Sequence, residues 1–272
     1  MNVLFIGGGN MGRALVGGLL AQGRARDALV VVEPDAAARA RLETDFGIHA
    51  APAAAGDLVA RAGLVLFAVK PQQLRVAACA LAPHLAGQLV LSIAAGIRLA
   101  DLSRWLGGHQ RLVRAMPNTP ALIRRGISGL FAHPGVDDAG RRSAEDILGA
   151  VGETMWCVRE EQLDAVTAVS GSGPAYFFYF LEAMIEAGQE LGFSPGEARR
   201  LAYATAGGAA ALAAQAVESP AVLRAQVTSK GGTTAAAIAE LEQRAVKAAF
   251  VAAIRAAAAR AAQLGDELGR DD

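Results

Sequence analysis

The first 160 residues alternate between two rhythms of apolar and polar positions. Short, nearly continuous apolar runs read as strands: NVLFI (2–6), ALVVVE (28–33), GLVLFAV (63–69), QLVLSI (88–93), RLVRAM (111–116) and GISGLFA (126–132). Between the first five lie stretches of helical spacing, such as MGRALVGGLLAQG, where Leu15, Val16, Leu19 and Leu20 recur on one face. Strands without polar alternation are buried on both sides, so these runs, separated by helices, predict a parallel sheet covered on both faces. A last strand, ETMWCV (153–158), closes this half. Beyond about residue 160 the strand rhythm stops. Within DAVTAVSGSGPAYFFYFLEAMIEAGQELG one helix ends and another begins, with Ser172 as N-cap, Pro174 in the first turn and Gly192 after the last. Alanine-rich segments follow, broken at FSPGE, VESP and VTSKGGTT, and alanine's helix propensity makes this half a helical bundle.

Composition narrows the functional classes. Lysine plus arginine and aspartate plus glutamate number 26 each, so no electrostatic footprint marks a nucleic-acid or anionic-membrane partner. The opening MNVLFIGGGN is too short a run for a signal-peptide core, and AAFVAAIRAAAARAA is broken by Arg255 and Arg260. A soluble cytoplasmic protein is expected. Cys79 and Cys157 form no CxxC and read as free thiols. His49, His84, His109 and His133 lack metal-ligand spacing, so no metal site is expected. Small side chains bury little area per helix, which points to a partner chain completing the bundle's core.

The chemistry starts at FIGGGNMG, where Gly7, Gly9 and Gly12 fall in G-x-G-x-x-G spacing directly after a strand and opening a helix. Gly7 permits the tight turn, Gly9 lets the backbone approach a pyrophosphate, and Gly12 allows close helix–strand packing. Asn10 and Met11 belong to the same helix N-terminus, which faces the anion. At the end of the second strand, Glu33 lies where an acid accepts hydrogen bonds from the adenosine ribose. That acid repels a 2′-phosphate and taken alone favours NADH over NADPH. Two further strand ends, AVKPQ (Ala68, Val69, Lys70, Pro71) and SIAAGI (Ala94, Ala95, Gly96), bring small residues to the same crevice. In RAMPNTP, Pro117 and Pro120 stiffen a loop whose Asn118 offers both donor and acceptor, a candidate crevice wall. The expected fold class is α/β: an N-terminal Rossmann-like doubly wound sheet over residues 1–160, then an all-α domain over residues 161–272.

FIGGGNMG, AVKPQ, SIAAGI, VRAMPNTPALIRRGISGL, VSGSGPAYFF and VTSKGGTT stand in an order and spacing that resemble the pyrroline-5-carboxylate reductases, over nearly the whole chain. The resemblance implies an oxidoreductase that makes L-proline by hydride transfer from NADPH or NADH to the C=N carbon of 1-pyrroline-5-carboxylate. It implies that the helical domain dimerises, and that many members form larger rings of dimers. Family habit leans to NADPH. A helix beginning near Gly231 would present unpaired amides as an anion site. TAAAI after Thr233 leaves no Glu or Gln to complete a capping box. Gly231 and Gly232 remove obstructing side chains, and Ser229 and Thr233 add hydroxyls. The resemblance makes this turn the cradle of the substrate carboxylate and has Thr234 hydrogen-bond the ring nitrogen, as an orienting donor or a relay to water. Lys230 stands where the family usually has proline, and Ser219 and Ala225 stand where it often has histidine and aspartate.

Two other readings fit the first glycine pattern. A β-hydroxyacid dehydrogenase-like oxidoreductase needs an acid/base lysine on the interdomain helix, and GPAYFFYFLEAMIEAGQELG has no lysine. A non-catalytic nucleotide-binding protein would have no use for the hydroxyl-lined turn.

Overall fold

The computed structural model describes residues 1–270. By internal contacts it divides into a sheet unit, Met1–Ser172 with the described residues from Ala257 onward, and a helical unit, Gly173–Ala256.

The sheet unit begins β1 (Val3–Ile6), α1 (Asn10–Ala21), β2 (Leu29–Val32), α2 (Ala36–Phe46), β3 (His49–Ala51), α3 (Gly56–Arg61), β4 (Leu64–Phe67) and α4 (Pro71–Leu81). It continues β5 (Leu89–Ser92), α5 (Leu99–Trp105), β6 (Leu112–Met116), β7 (Gly126–Ala132), α6 (Asp138–Gly149), β8 (Gly152–Trp156) and α7 (Gln162–Val166). The strands form one sheet in the order β3-β2-β1-β4-β5-β6-β7-β8. Along β1, Val3 and Phe5 join the core on one face and Leu4 and Ile6 the core on the other. This is the two-residue alternation of a strand buried on both sides.

The sheet is mixed rather than parallel throughout, because β7 runs antiparallel to β6. Residues 117–125 cannot hold a crossover connection, which takes about a dozen residues or more. They form a 3-10 turn, Thr119–Ile123, with Arg124 left-handed at φ 58, and the chain doubles back. The crossover through α6 then makes β8 parallel to β7. The short strand β3, HAA, was not among the predicted runs.

By internal contacts the sheet unit extends through Ser172. Leu163 and Ala168 are fully buried in the sheet unit, and Leu163 and Val166 press on Gly129 so closely that a Cβ there would lie 2.8 Å from Val166. After α7 the backbone widens into a π turn, Thr167–Gly171, whose Thr167 carbonyl accepts from the Ser172 amide at 2.8 Å. Ser172 is helical (φ −83, ψ −19), so it is not the extended N-cap expected there.

The helical unit comprises α8 (Gly173–Glu190), α9 (Pro195–Gln215), α10 (Pro220–Gln226), α11 (Thr233–Gln243) and most of α12 (Val246–Leu268). Ser194 and Glu197 close a reciprocal capping box on α9. Gly188 admits Ala198 where α8 meets α9. Tyr176 and Phe180 each set a ring edge-on to Phe250, with centroids 5.6 Å apart. Phe177, Phe178 and Tyr179 are nonetheless 60–70% exposed.

From Ala257 onward α12 packs in the sheet unit. Leu268 joins the core beneath α5, Arg98 pairs with Asp266 at 2.7 Å, and Arg104 Nη2 donates to the Gly269 carbonyl at 2.7 Å.

Candidate active site

The β1–α1 turn is built from contacts only glycine permits. Gly7 has φ +107, and a Cβ there would lie 2.8 Å from the Ala68 carbonyl oxygen; a Cβ on Gly12 would lie 2.6 Å from the Gly7 carbonyl oxygen. Gly9, the N-cap of α1, makes no side-chain cap and would meet nothing within 4 Å, so the first-turn amides of α1 open outward. Asn10 is exposed, whereas the Met11 side chain is partly buried against the core. Gly8, an unspecified position of the glycine pattern, is closely packed: a Cβ would lie 2.7 Å from a Leu42 methyl and 3.3 Å from Glu33 Oε2, so the Leu42 side chain would have to shift.

Glu33 ends β2 with both carboxylate oxygens engaged. Oε2 accepts from the Gly8 amide and Oε1 from the Asp35 amide, each at 3.0 Å. Arg39 Nη1 donates to the Glu33 and Pro34 carbonyls, both at 2.7 Å. Neither tie was visible in the sequence, since each depends on how the turn after β2 folds back.

A cleft of about 730 Å³ lies at the carboxyl ends of β1, β2 and β4, lined by Gly7, Gly9, Glu33, Ala68, Val69 and Lys70 among others. This is where the doubly wound topology puts a dinucleotide. A pyrophosphate fits the open Gly9 cradle and the uncapped end of α1. Pro71, the first residue of α4, does not line this cleft, nor do Ala94, Ala95, Gly96 and Asn118. Ala94 is buried, and Gly96 (φ +78) lies under α12, where a Cβ would meet Leu268 at 3.1 Å. Asn118 spends both ends of its amide inside the sheet unit: Oδ1 accepts from the Ile127 amide and Nδ2 donates to Ser170 Oγ, each at 3.0 Å. It braces the loop after β6.

Beside it, Arg114 on β6 is buried, with Nη1 donating to Glu160 Oε1 at 3.0 Å and Nη2 lying 3.5 Å from Asp164 Oδ1. Glu160 Oε1 also accepts from the Leu99 amide at 2.8 Å. One carboxylate thus ties β6 to the start of α5. The sequence reading passed over all three ionic residues; an arginine inside an apolar strand was the available signal.

In the helical unit, the turn before α11 holds Ser229, Gly231, Gly232, Thr233 and Thr234. Gly231 is left-handed at φ +72, and Gly232 is the extended N-cap, so the helix begins at Thr233, two residues later than expected. The Gly232 amide donates to the Ser229 carbonyl at 3.1 Å, and a Cβ on Gly232 would fall 2.5 Å from Ser229 Oγ. No side chain caps α11, and its first turn carries no acid. The result is a short loop of exposed amides and hydroxyls with Thr234 half-buried.

Comparison with known proteins bears on both units. Residues 160–264 match the family described as pyrroline-5-carboxylate reductase dimerisation, and residues 2–96 match that described as NADP oxidoreductase coenzyme F420-dependent. The chain is 46% identical to a pyrroline-5-carboxylate reductase of Pseudomonas aeruginosa over 269 residues, covering 98% of each. It is 40% identical to that of Pasteurella multocida over 268 residues, covering 97% of each. A solved pyrroline-5-carboxylate reductase from Coxiella burnetii superposes with a TM-score of 0.91 at 39% identity, over 97% of this chain and 98% of that one. The Plasmodium falciparum pyrroline carboxylate reductase, solved with NADP bound, superposes at 0.86 and 26% identity with the same coverage. Likeness of this degree over nearly the whole length of both chains makes this chain a member of the pyrroline-5-carboxylate reductase family.

Proposed function

We propose that the protein reduces 1-pyrroline-5-carboxylate to L-proline, with bound NADPH or NADH supplying the hydride to the C=N carbon. The uncapped start of α11 behind the Gly231–Gly232 turn carries this reading. Amides of that first turn, with the Ser229 and Thr233 hydroxyls, hold the substrate carboxylate. Thr234 offers its hydroxyl to the ring nitrogen and fixes the ring's orientation. In the sheet unit, Gly7, Gly9 and Gly12 shape the pyrophosphate seat, Asn10 and Met11 contribute backbone amides, and Glu33 takes the ribose hydroxyls. Ala68 to Lys70 wall the cleft. For Pro71, Ala94, Ala95, Gly96 and Asn118 the reading is indirect: they hold the strand-end loops in place.

The chemistry asks little of a general acid, because a protonated imine is already an electrophile. Orientation is worth about 7–11 kcal/mol in well-aligned reactions, enough to make positioning the main contribution.

The family's dimerisation region and the exposed aromatic face of α8 support a homodimer, and we extend this to a larger ring of dimers. An apolar groove of about 810 Å³ lined by Phe180, Leu241, Phe250 and Val251 belongs to the surface such a partner would cover. The free thiols Cys79 and Cys157 suit a cytoplasmic location. Among the described residues no helix is long and apolar enough to cross a membrane.

The direct test is cofactor oxidation by the purified protein with 1-pyrroline-5-carboxylate, run with NADPH and NADH and with proline measured as product. Proline formed in step with cofactor oxidation is the expected result; no oxidation with either cofactor would remove the substrate assignment.

A further inference from the structure

The end of β2 also decides between the two forms of the cofactor, an inference that rests on the dinucleotide-binding reading above. NADPH differs from NADH by a phosphate on the adenosine 2′ oxygen, which an acid at this strand end would meet directly in place of a hydroxyl. Glu33 is held there by two backbone amides, Gly8 at Oε2 and Asp35 at Oε1. Each carboxylate oxygen keeps a further lone pair, so the fixed group accepts from ribose hydroxyls and has nothing to donate to a phosphate.

Two nearby features that would attract a phosphate are partly engaged, and Arg39 is not among the residues lining the cleft. The N-terminus of α2 is a natural anion seat, but its N-cap Asp35 fills it, its side chain accepting from the Ala38 amide at 2.7 Å. Arg39, the cation of this turn, spends Nη1 on the Glu33 and Pro34 carbonyls at 2.7 Å. The charged side chains lining the cleft are Glu33, Asp35 and Lys70, and Lys70 stands on a different wall, at the β4–α4 turn. A 2′-phosphate of about −2 charge would therefore enter a cleft whose β2 end carries the Glu33 and Asp35 carboxylates, and their repulsion opposes it.

We infer that Glu33, locked by the Gly8 and Asp35 amides, makes this protein select NADH over NADPH. The NADP in the description of the matched family and in the Plasmodium falciparum structure belongs to those proteins. The Glu33–Gly8 tie is a feature of this chain.

The test is calorimetric titration of the full-length protein with NADH and with NADPH, without substrate, followed by steady-state kinetics with each. NADH should bind more tightly by roughly tenfold or more, with kcat/KM in the same order. Glu33→Gln keeps an acceptor for Gly8 but removes the charge. It should narrow the ratio about tenfold, through NADPH binding and KM rather than kcat. Arg39→Ala should leave NADPH no weaker relative to NADH. Equal or tighter NADPH binding by the unmodified protein overturns the inference, as does a selective loss of NADPH binding in Arg39→Ala. A binding preference for NADH without turnover of 1-pyrroline-5-carboxylate would support the cofactor choice while removing the substrate assignment.

Discussion

In the function proposed above, Thr234 and Glu33 do opposite kinds of work. Thr234 sits half-buried in the first turn of an uncapped helix, where a hydroxyl acts by direction rather than by acidity. Thr234→Ala should lower kcat by roughly ten- to a hundredfold, within the range seen for lost oriented donors, and leave the cofactor dissociation constant unchanged. Stopped-flow turnover beside equilibrium cofactor binding separates the two, and equal losses in both would count against the role. Single residues were legible in the sequence as far as their own chemistry reached. Gly7 could be read, because a positive φ and a close approach to the Ala68 carbonyl demand glycine. The crowding at Gly8 could not, since it comes from Leu42 and Glu33, distant in sequence and unreadable from spacing. Asn118 was read for its donor and acceptor, but their partners, Ile127 and Ser170, are set by the reversal into β7.

Elements were read best where burial dictates composition. β1 and β4 lie inside the sheet, and their unbroken apolar runs announced it. β3 is three residues of His and Ala, and neither its length nor its side chains separate it from a loop. The direction of β7 depends on the length of the connection before it, which periodicity does not carry. β6 and α7 are joined by Arg114, so this pairing should be felt in stability. Arg114→Met should cost about 2 kcal/mol in urea unfolding, because it leaves the partly buried Glu160 and Asp164 carboxylates without their cation. Replacing Glu160 and Asp164 by leucine as well should recover much of that loss, less the bond to the Leu99 amide. At the other end of β6, His109 Nε2 bonds the Gln88 carbonyl at 2.9 Å. Burial pushes its pKa below the ordinary 6.5; the Gln88 carbonyl opposes this and the Arg111 charge adds to it. The folded state therefore favours the neutral ring, so the stabilisation is full above the unfolded value and is lost as pH falls through the lowered folded one. Thermal melts of His109→Gln should show a difference from the unmodified protein that holds above neutrality and shrinks as the solution is made acidic. A difference that does not vary with pH would argue against this.

For the whole molecule, the two halves were legible as a change of rhythm, but the return of the chain to the sheet unit was not. An alanine-rich helix gives no sign of where it changes company, and α12 does so at Ala257. Removing the chain from Ala257 onward should uncover Gly96, Arg98 and the core around Leu268. It should lower the stability of the sheet unit by about 2 kcal/mol or more, through lost apolar burial. Differential scanning calorimetry would register this as a lower transition, and an unchanged melt would show that the packing is incidental. The same return sets a timetable for synthesis. The last turns of α12 leave the ribosome about a hundred residues after Ser172, a delay of roughly 5–20 s at ordinary elongation rates. Through that interval the loop after β5 waits without its cover. The nucleotide half, although made first, is finished last.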